Sequence, residues 1–166
     1  MDRSTRSWAP AVQVGPGLCQ TPAMPRTILP QGWQRPRGYA NGMAARGELL
    51  AVAGQIGWNS QEQFETDAFI GQFRQALANV VAIVDAAGGS PTDIISLTIY
   101  VTDKQDYITG IKEVGQTYRE LLGKHFPAMA LVGVASLLED RAKVEIQALA
   151  VLCSPSTPDS TPETSP

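Results

Sequence analysis

Ile95-Ser96-Leu97-Thr98-Ile99-Tyr100-Val101-Thr102 alternates aliphatic residues with polar or hydroxyl-bearing ones along its whole length. A period of two puts Ile95, Leu97, Ile99 and Val101 on one side, so the stretch reads as a strand with one buried face. Upstream, Phe69, Phe73, Leu77, Val80 and Val84 recur at helical spacing, with Thr66 or Asp67 as the cap and Gly88-Gly89 as a left-handed stop. Downstream, a second helix follows Asp103, carries Tyr107, Ile111, Val114, Tyr118 and Leu122 on its stripe, and ends at Gly123. Two amphipathic helices around one half-buried strand call for partner strands. Residues 39–45 and 49–53 read as a hairpin around Arg46-Gly47-Glu48, and residues 128–134 and 143–152 close the chain. The order is β-β-α-β-α-β-β. It implies an α+β fold in which a single mixed sheet is covered by two helices on one face.

A chain of 166 residues, 43% hydrophobic and 17% charged, suits one domain with a sizeable core. Net charge is −3 with Lys and Arg scattered, so no nucleic-acid partner is expected. The longest apolar runs, residues 80–84 and 128–135, are too short to span a bilayer. Cys19 and Cys153 form no pair motif and fit a reducing compartment, so a cytoplasmic location is expected. Residues 1–36 and 154–166 are rich in Pro, Ser and Thr and read as a disordered extension and a disordered tail around a domain at 37–153. Met24 opens a second plausible start; an organelle presequence, with Arg3 and Arg6 among serines, is the rival reading.

Residues 128–134 are apolar on both faces: Ala128, Ala130 and Val132 point one way, Met129 and Leu131 the other. With helices on one face only, the other needs a cover, and a second copy of the chain is the simplest one. The inventory of reactive side chains is short. His125 is the only histidine, without Cys or acidic ligands at metal spacing, and reads as a cation near the second helix's C-terminal end. No Gly-rich phosphate loop and no nucleophile elbow occur, so neither metal nor cofactor is expected. Glu145 is the one carboxylate set in the apolar strand Val144-Glu145-Ile146-Gln147-Ala148.

Gly38-Tyr39-Ala40-Asn41-Gly42, Ala53-Gly54-Gln55-Ile56, Phe126-Pro127-Ala128 and Val144-Glu145-Ile146-Gln147-Ala148 resemble, in order and spacing, the reactive-intermediate deaminase family (RidA, YjgF-like). Gln75-Ala76-Leu77-Ala78-Asn79-Val80 and Ala86-Ala87-Gly88 are similar to it too. The resemblance implies a chorismate-mutase-like homotrimer with clefts between subunits. It implies hydrolysis of enamines and imines, such as those released from serine or threonine, to 2-oxo acids and ammonia. It places the water-holding carboxylate on Glu145, the pocket tyrosine on Tyr39, and the backbone carbonyl that shares the water on Leu131. A carboxylate in a partly desolvated cleft can orient and deprotonate water. The alternative is that Glu145 is a solvent-facing strand residue between Lys143 and Gln147.

Three substrate-binding positions depart from the pattern. The family's arginine falls on Met129, its asparagine on Gly115, and the serine before Gly54 on Ala53. A thioether offers none of the charge-assisted hydrogen bonds of a guanidinium. Each lost bond costs about 1.5–3 kcal/mol, so a 2-imino acid binds poorly unless another cation enters the cleft. Arg141 and Arg37 are the candidates. Met129 and Leu131 would form an apolar floor for a different ligand. Two functions follow: an enamine/imine deaminase whose substrate differs from simple 2-imino acids, or a non-catalytic trimer that binds a small molecule or a protein in the same clefts. A ribonuclease or translation-inhibitor role finds no support in the acidic balance or in aromatic–basic interleaving.

Overall fold

The computed structural model describes residues 24–152. The expected disorder of the first 23 residues and of residues 154–166 lies outside the described residues. Strands are β1 (Arg26–Ile28), β2 (Gly42–Ala44), β3 (Glu48–Ile56), β4 (Ile94–Val101), β5 (Ala128–Gly133) and β6 (Val144–Leu152). Helices are α1 (Phe69–Ala86), α2 (Lys104–Thr109) and α3 (Ile111–Leu122). The architecture is α+β, with one main mixed sheet in the order β3-β6-β4-β5. Only β4 and β5 run parallel; β6 is antiparallel to β3 and to β4.

Several local readings change. The expected hairpin between residues 39–45 and 49–53 does not form. Strand β2 pairs with β1 as a separate ribbon, and β3 pairs with β6 instead. Residues 24–36 are therefore not all part of an unstructured extension, because Arg26–Ile28 is a strand. A strand of three residues, exposed throughout, carries too few apolar positions to announce itself. The second helix is two helices, broken at the buried Gly110, where a Cβ would press on the Ile70 side chain. Asp103 caps the first piece by accepting from the Gln105 N–H at 2.7 Å.

Helix α1 begins at Phe69 with Ala68 at its cap position and no side-chain cap; Thr66 instead accepts from the Ala68 N–H through its hydroxyl at 3.0 Å. Gly88, at φ +81°, and the Gly89 N–H on the Val84 carbonyl close its other end. Its stripe of Phe73, Ala76, Leu77, Val80 and Val84 is fully buried. It packs on Leu97, Ile99 and Val101 of β4 and on Val144, Ile146 and Ala148 of β6. Each such large side chain contributes about 1.5–3 kcal/mol by leaving water. A register shift near the start of β4 puts Ile94, not Ile95, in the core. His125 does not cap α3; its Nε2 meets the Ile94 carbonyl at 2.6 Å and pins that irregular strand end.

Gln72 is the one amide in the core of α1, and it is fully buried. Its Nε2 donates to the Thr66 and Arg141 carbonyls, at 3.2 and 3.0 Å, and its Oε1 accepts from the Lys143 N–H at 2.8 Å. These bonds fasten the segment leading into β6 to the start of α1. Gly57 lies against this side chain: a Cβ there would come within 2.6 Å of the Gln72 Cα.

The other face of the sheet is bare in the single chain. Leu49, Leu149 and Val132 are exposed on it, beside Ala51 and Ala53.

Candidate active site

Glu145 sits in β6, opposite Tyr100 of β4 and Ile56 of β3. Alternation along β6 buries Val144, Ile146 and Ala148 under the helices, so Glu145 and Gln147 project from the bare face. Its same-face neighbours are engaged elsewhere: Lys143 reaches Asp106 at 3.6 Å, and Gln147 accepts from the Tyr100 hydroxyl at 3.1 Å. Among the described residues the Glu145 carboxylate has no hydrogen-bond or ion-pair partner, although the residue is half-buried. A carboxylate that gives up part of its water without gaining a protein donor is held ready to accept from a substrate or a reacting water.

Gly54 makes room for it. A register irregularity between Val52 and Gln55 bends β3 there. A Cβ on Gly54 would lie 2.6 Å from the Glu145 Cδ and 2.9 Å from its Cγ. Ala53 is exposed beside it, in a shallow groove on the bare face shared with Ser96, Thr98, Gln147 and Leu149.

The remaining positions form a second group. Met129 pairs with Leu97, and Leu131 with Ile99, so both lie on the helix side of the sheet and not on Glu145's face. Met129 packs against the core, and the Tyr118 hydroxyl donates to its sulfur at 3.1 Å. Burial pushes the Tyr118 hydroxyl far above the ordinary tyrosine range, with a smaller push from Tyr107. Gly115 lies three residues before Tyr118 in α3, hence on the same helix face. An apolar floor of Met129 and Leu131 beneath Glu145 therefore does not exist within one chain.

Strand β5 is an edge of the main sheet, and the direction of its hydrogen bonds can be read from its ends. The Val134 N–H donates inward to Val101, whereas the Pro127 carbonyl accepts outward from the Ala40 N–H. In a parallel ladder these directions alternate, so the Leu131 carbonyl, of the same parity as Pro127, points to the open edge. Tyr39 belongs to this edge as well, since it precedes Ala40, which bridges to Ala128. Tyr39 is 40% exposed.

Glu145 and Tyr39 are not neighbours within one chain. From β6 through β4 and β5 to the Ala40 segment is about 14 Å, at the usual strand spacing. From the Glu145 row to the Ala128 row is a further ~13 Å along the strands. The candidate residues thus fall into two groups: Glu145, Gly54 and Ala53 on the bare face, and Tyr39, Leu131, Met129 and Gly115 on or beside β5.

Of the two candidate cations, Arg141 is engaged. It makes two hydrogen bonds to Asp67, at 2.8 and 3.1 Å, and lies 5.1 Å from the Phe64 ring centre. Arg37 lines a groove with Trp33, Arg35 and Tyr39. Those four residues bring two basic side chains between two aromatic ones, a pattern that the sequence reading passed over because it assigned Trp33 and Arg35 to an unstructured extension.

An α+β protein with a mixed sheet, helices on one side and an unpartnered strand carboxylate on the other is the class that fold and site define. Residues 34–152 match the family described as Endoribonuclease L-PSP, and the chain belongs to that family, the RidA/YjgF group. The 2-iminobutanoate/2-iminopropanoate deaminase of Escherichia coli strain K12 is 39% identical over 108 residues, 63% of this chain and 80% of that protein. A RutC family protein of Pyrococcus horikoshii is 31% identical over 128 residues, 76% of this chain and 98% of its own. Among solved structures, the Rid family protein YyfB from Yersinia pestis superposes with a TM-score of 0.70 at 26% identity, covering 78% of this chain and 100% of that one. E. coli TdcF with bound serine gives a TM-score of 0.57 at 35% identity, covering 77% and 99%. Imine deamination is an activity found in this family. Among the described residues, no helix is long and apolar enough to cross a membrane.

Proposed function

We propose that this protein is a hydrolytic deaminase of a reactive enamine or imine, working in the cytoplasm as a homotrimer, on a substrate other than the simple 2-imino acids. Glu145 takes a proton from a water that adds to the imine carbon. The resulting carbinolamine then expels ammonia and leaves a carbonyl product. The Leu131 carbonyl on the open β5 edge is the second acceptor for that water, and Tyr39 lines the pocket. Because the two groups lie far apart in one chain, the working cleft joins Glu145 of one copy to the β5 edge of another. The exposed Leu49, Leu149 and Val132 on the bare face give a second copy something to cover.

One observation carries the reading: a half-buried strand carboxylate without a protein partner, in a chain 39% identical to an imine deaminase. The difference in substrate rests on Met129, whose side chain is committed to the core under Tyr118. The test is ammonia release from a panel of imines generated in place by an amino-acid oxidase. Hydrolysis of at least one imine, abolished by Glu145→Gln, is expected; a Glu145→Gln protein as active as the parent refutes the mechanism. A second reading, a non-catalytic binder of a small molecule, is favoured by the loss of polar groups at Met129, Gly115 and Ala53. Recovery of a ligand unchanged after prolonged incubation would decide for it.

A further inference from the structure

The groove at residues 33–41 is the part of the chain that the deaminase reading leaves unused, apart from Tyr39. Trp33, Gln34, Arg35, Arg37, Tyr39 and Asn41 line it, around a volume of about 510 Å³. No carboxylate lines it, in a chain of net charge −3. Arg35 and Arg37 are exposed and have no ion-pair partner among the described residues. Two guanidinium groups on one wall repel each other, and an anion between them turns that repulsion into attraction.

Pro36 holds Arg35 before it extended, and Arg35 and Arg37 on either side of it both line the groove. Gly38, at φ +83°, then turns the chain so that Tyr39 closes the groove. Trp33 is 63% exposed and Tyr39 40% exposed. Their rings offer apolar faces next to the cations.

We infer that this groove is the protein's carboxylate subsite, and that its ligand is an imine or enamine whose carboxylate is separated from the reacting carbon by several carbon atoms. The inference rests on the deaminase reading and names the substrate class that reading leaves open. Arginine at position 129 would hold a carboxylate directly attached to the reacting carbon, but Met129 is turned into the core. Arg37 stands three residues before Ala40, whose N–H is bonded to Pro127. The available cation is therefore displaced outward from position 129, by up to about 10 Å of extended chain. A carboxylate held there reaches the reacting carbon only through a spacer, and Trp33 and Tyr39 cover such a spacer.

The test uses the full chain and a series of stable oxo acids that mimic the carbonyl product: pyruvate, levulinate and 5-oxohexanoate, with hexan-2-one as the uncharged control. Affinity, read by calorimetry, is expected to rise along the series, with hexan-2-one at least about tenfold weaker than 5-oxohexanoate. Arg35→Gln and Arg37→Gln, both at exposed positions, should each weaken 5-oxohexanoate about tenfold. Equal affinity for pyruvate and 5-oxohexanoate, or full affinity in both arginine variants, overturns the inference. So does a groove that instead holds oligouridylate tightly and loses it in the arginine variants. If Glu145→Gln abolishes turnover while the arginine variants change nothing, the subsite fails alone. If Glu145→Gln leaves turnover intact while the arginine variants lose affinity, the deaminase chemistry fails and the anion site stands.

Discussion

Replacing Gly54 with alanine adds one methyl group at the point where β3 bends toward Glu145. The new carbon would overlap the Glu145 Oε1 and stand 2.6 Å from the carboxyl carbon, whereas ordinary contact begins at 3.4 Å. The carboxylate must then retreat by at least ~0.8 Å, and misplacement of a reacting group by about 1 Å costs on the order of a hundredfold in rate. The fold should tolerate the change, because the crowded atoms are the far end of a flexible side chain and the Gly54 backbone has no positive φ. A new rotamer for Glu145 costs about 0.5–1.5 kcal/mol, and alanine in a strand offsets about 0.5–1 kcal/mol of that relative to glycine. The expected outcome is a melting temperature within a few degrees of the parent and a kcat for ammonia release from the best imine in the panel reduced about a hundredfold. The two measurements are made on one preparation, so that loss of rate can be set against retention of fold. A Gly54→Ala protein with parental kcat would show that Gly54 does not make space for the carboxylate, and that Glu145 need not stay where it is seen.

Three further outcomes are expected. Met129→Arg forces a guanidinium into the space under Tyr118 that the methionine fills, and should cost about 1–3 kcal/mol of stability, read as a lower melting temperature; an unchanged melting temperature would mean that the side chain at 129 is not committed to the core. Tyr118 has its hydroxyl pushed upward by burial, so above the ordinary tyrosine value of 10.0 the unfolded chain loses a proton that the folded chain keeps. Stability should therefore hold below pH 10 and fall above it, by at most ~1.4 kcal/mol per pH unit from this residue. Denaturant melts at rising pH should show a shallower fall for Tyr118→Phe. Gln72→Leu strands two carbonyls and one N–H at the junction of α1 and β6; a loss of about 3 kcal/mol, roughly 10 °C in melting temperature, is expected, and an unchanged melting temperature would show that water replaces the amide.

The amino-acid order alone carried the elements that repeat a period. Alternation marked β4, the spacing of Phe73, Leu77, Val80 and Val84 marked α1, and Gly88 and Gly123 marked helix ends, because each signal is local and physical. A carboxylate inside an apolar strand is likewise visible without coordinates and marked Glu145 as unusual, whereas its water-holding role came only from the family resemblance. Strand partners were not legible, since pairing is decided by which edges meet and not by the segments themselves. Hence β2 left β3 for β1, the strand at Arg26–Ile28 went unseen, and the break at Gly110 was hidden inside a continuous helical stripe.

What only the folded chain decided is the division of the site. Along the sequence, Glu145, Tyr39 and Met129 all read as residues of one pocket. In three dimensions, strand parity sends Met129 toward the helices and Glu145 toward the bare face, and three strand spacings separate Glu145 from Tyr39. Tertiary structure also assigned the cations, fastening Arg141 to Asp67 and leaving Arg37 beside Tyr39. Residue type states what chemistry a side chain can perform. The face, the edge and the partner that determine whether it performs it are set by long-range packing, which no local pattern encodes.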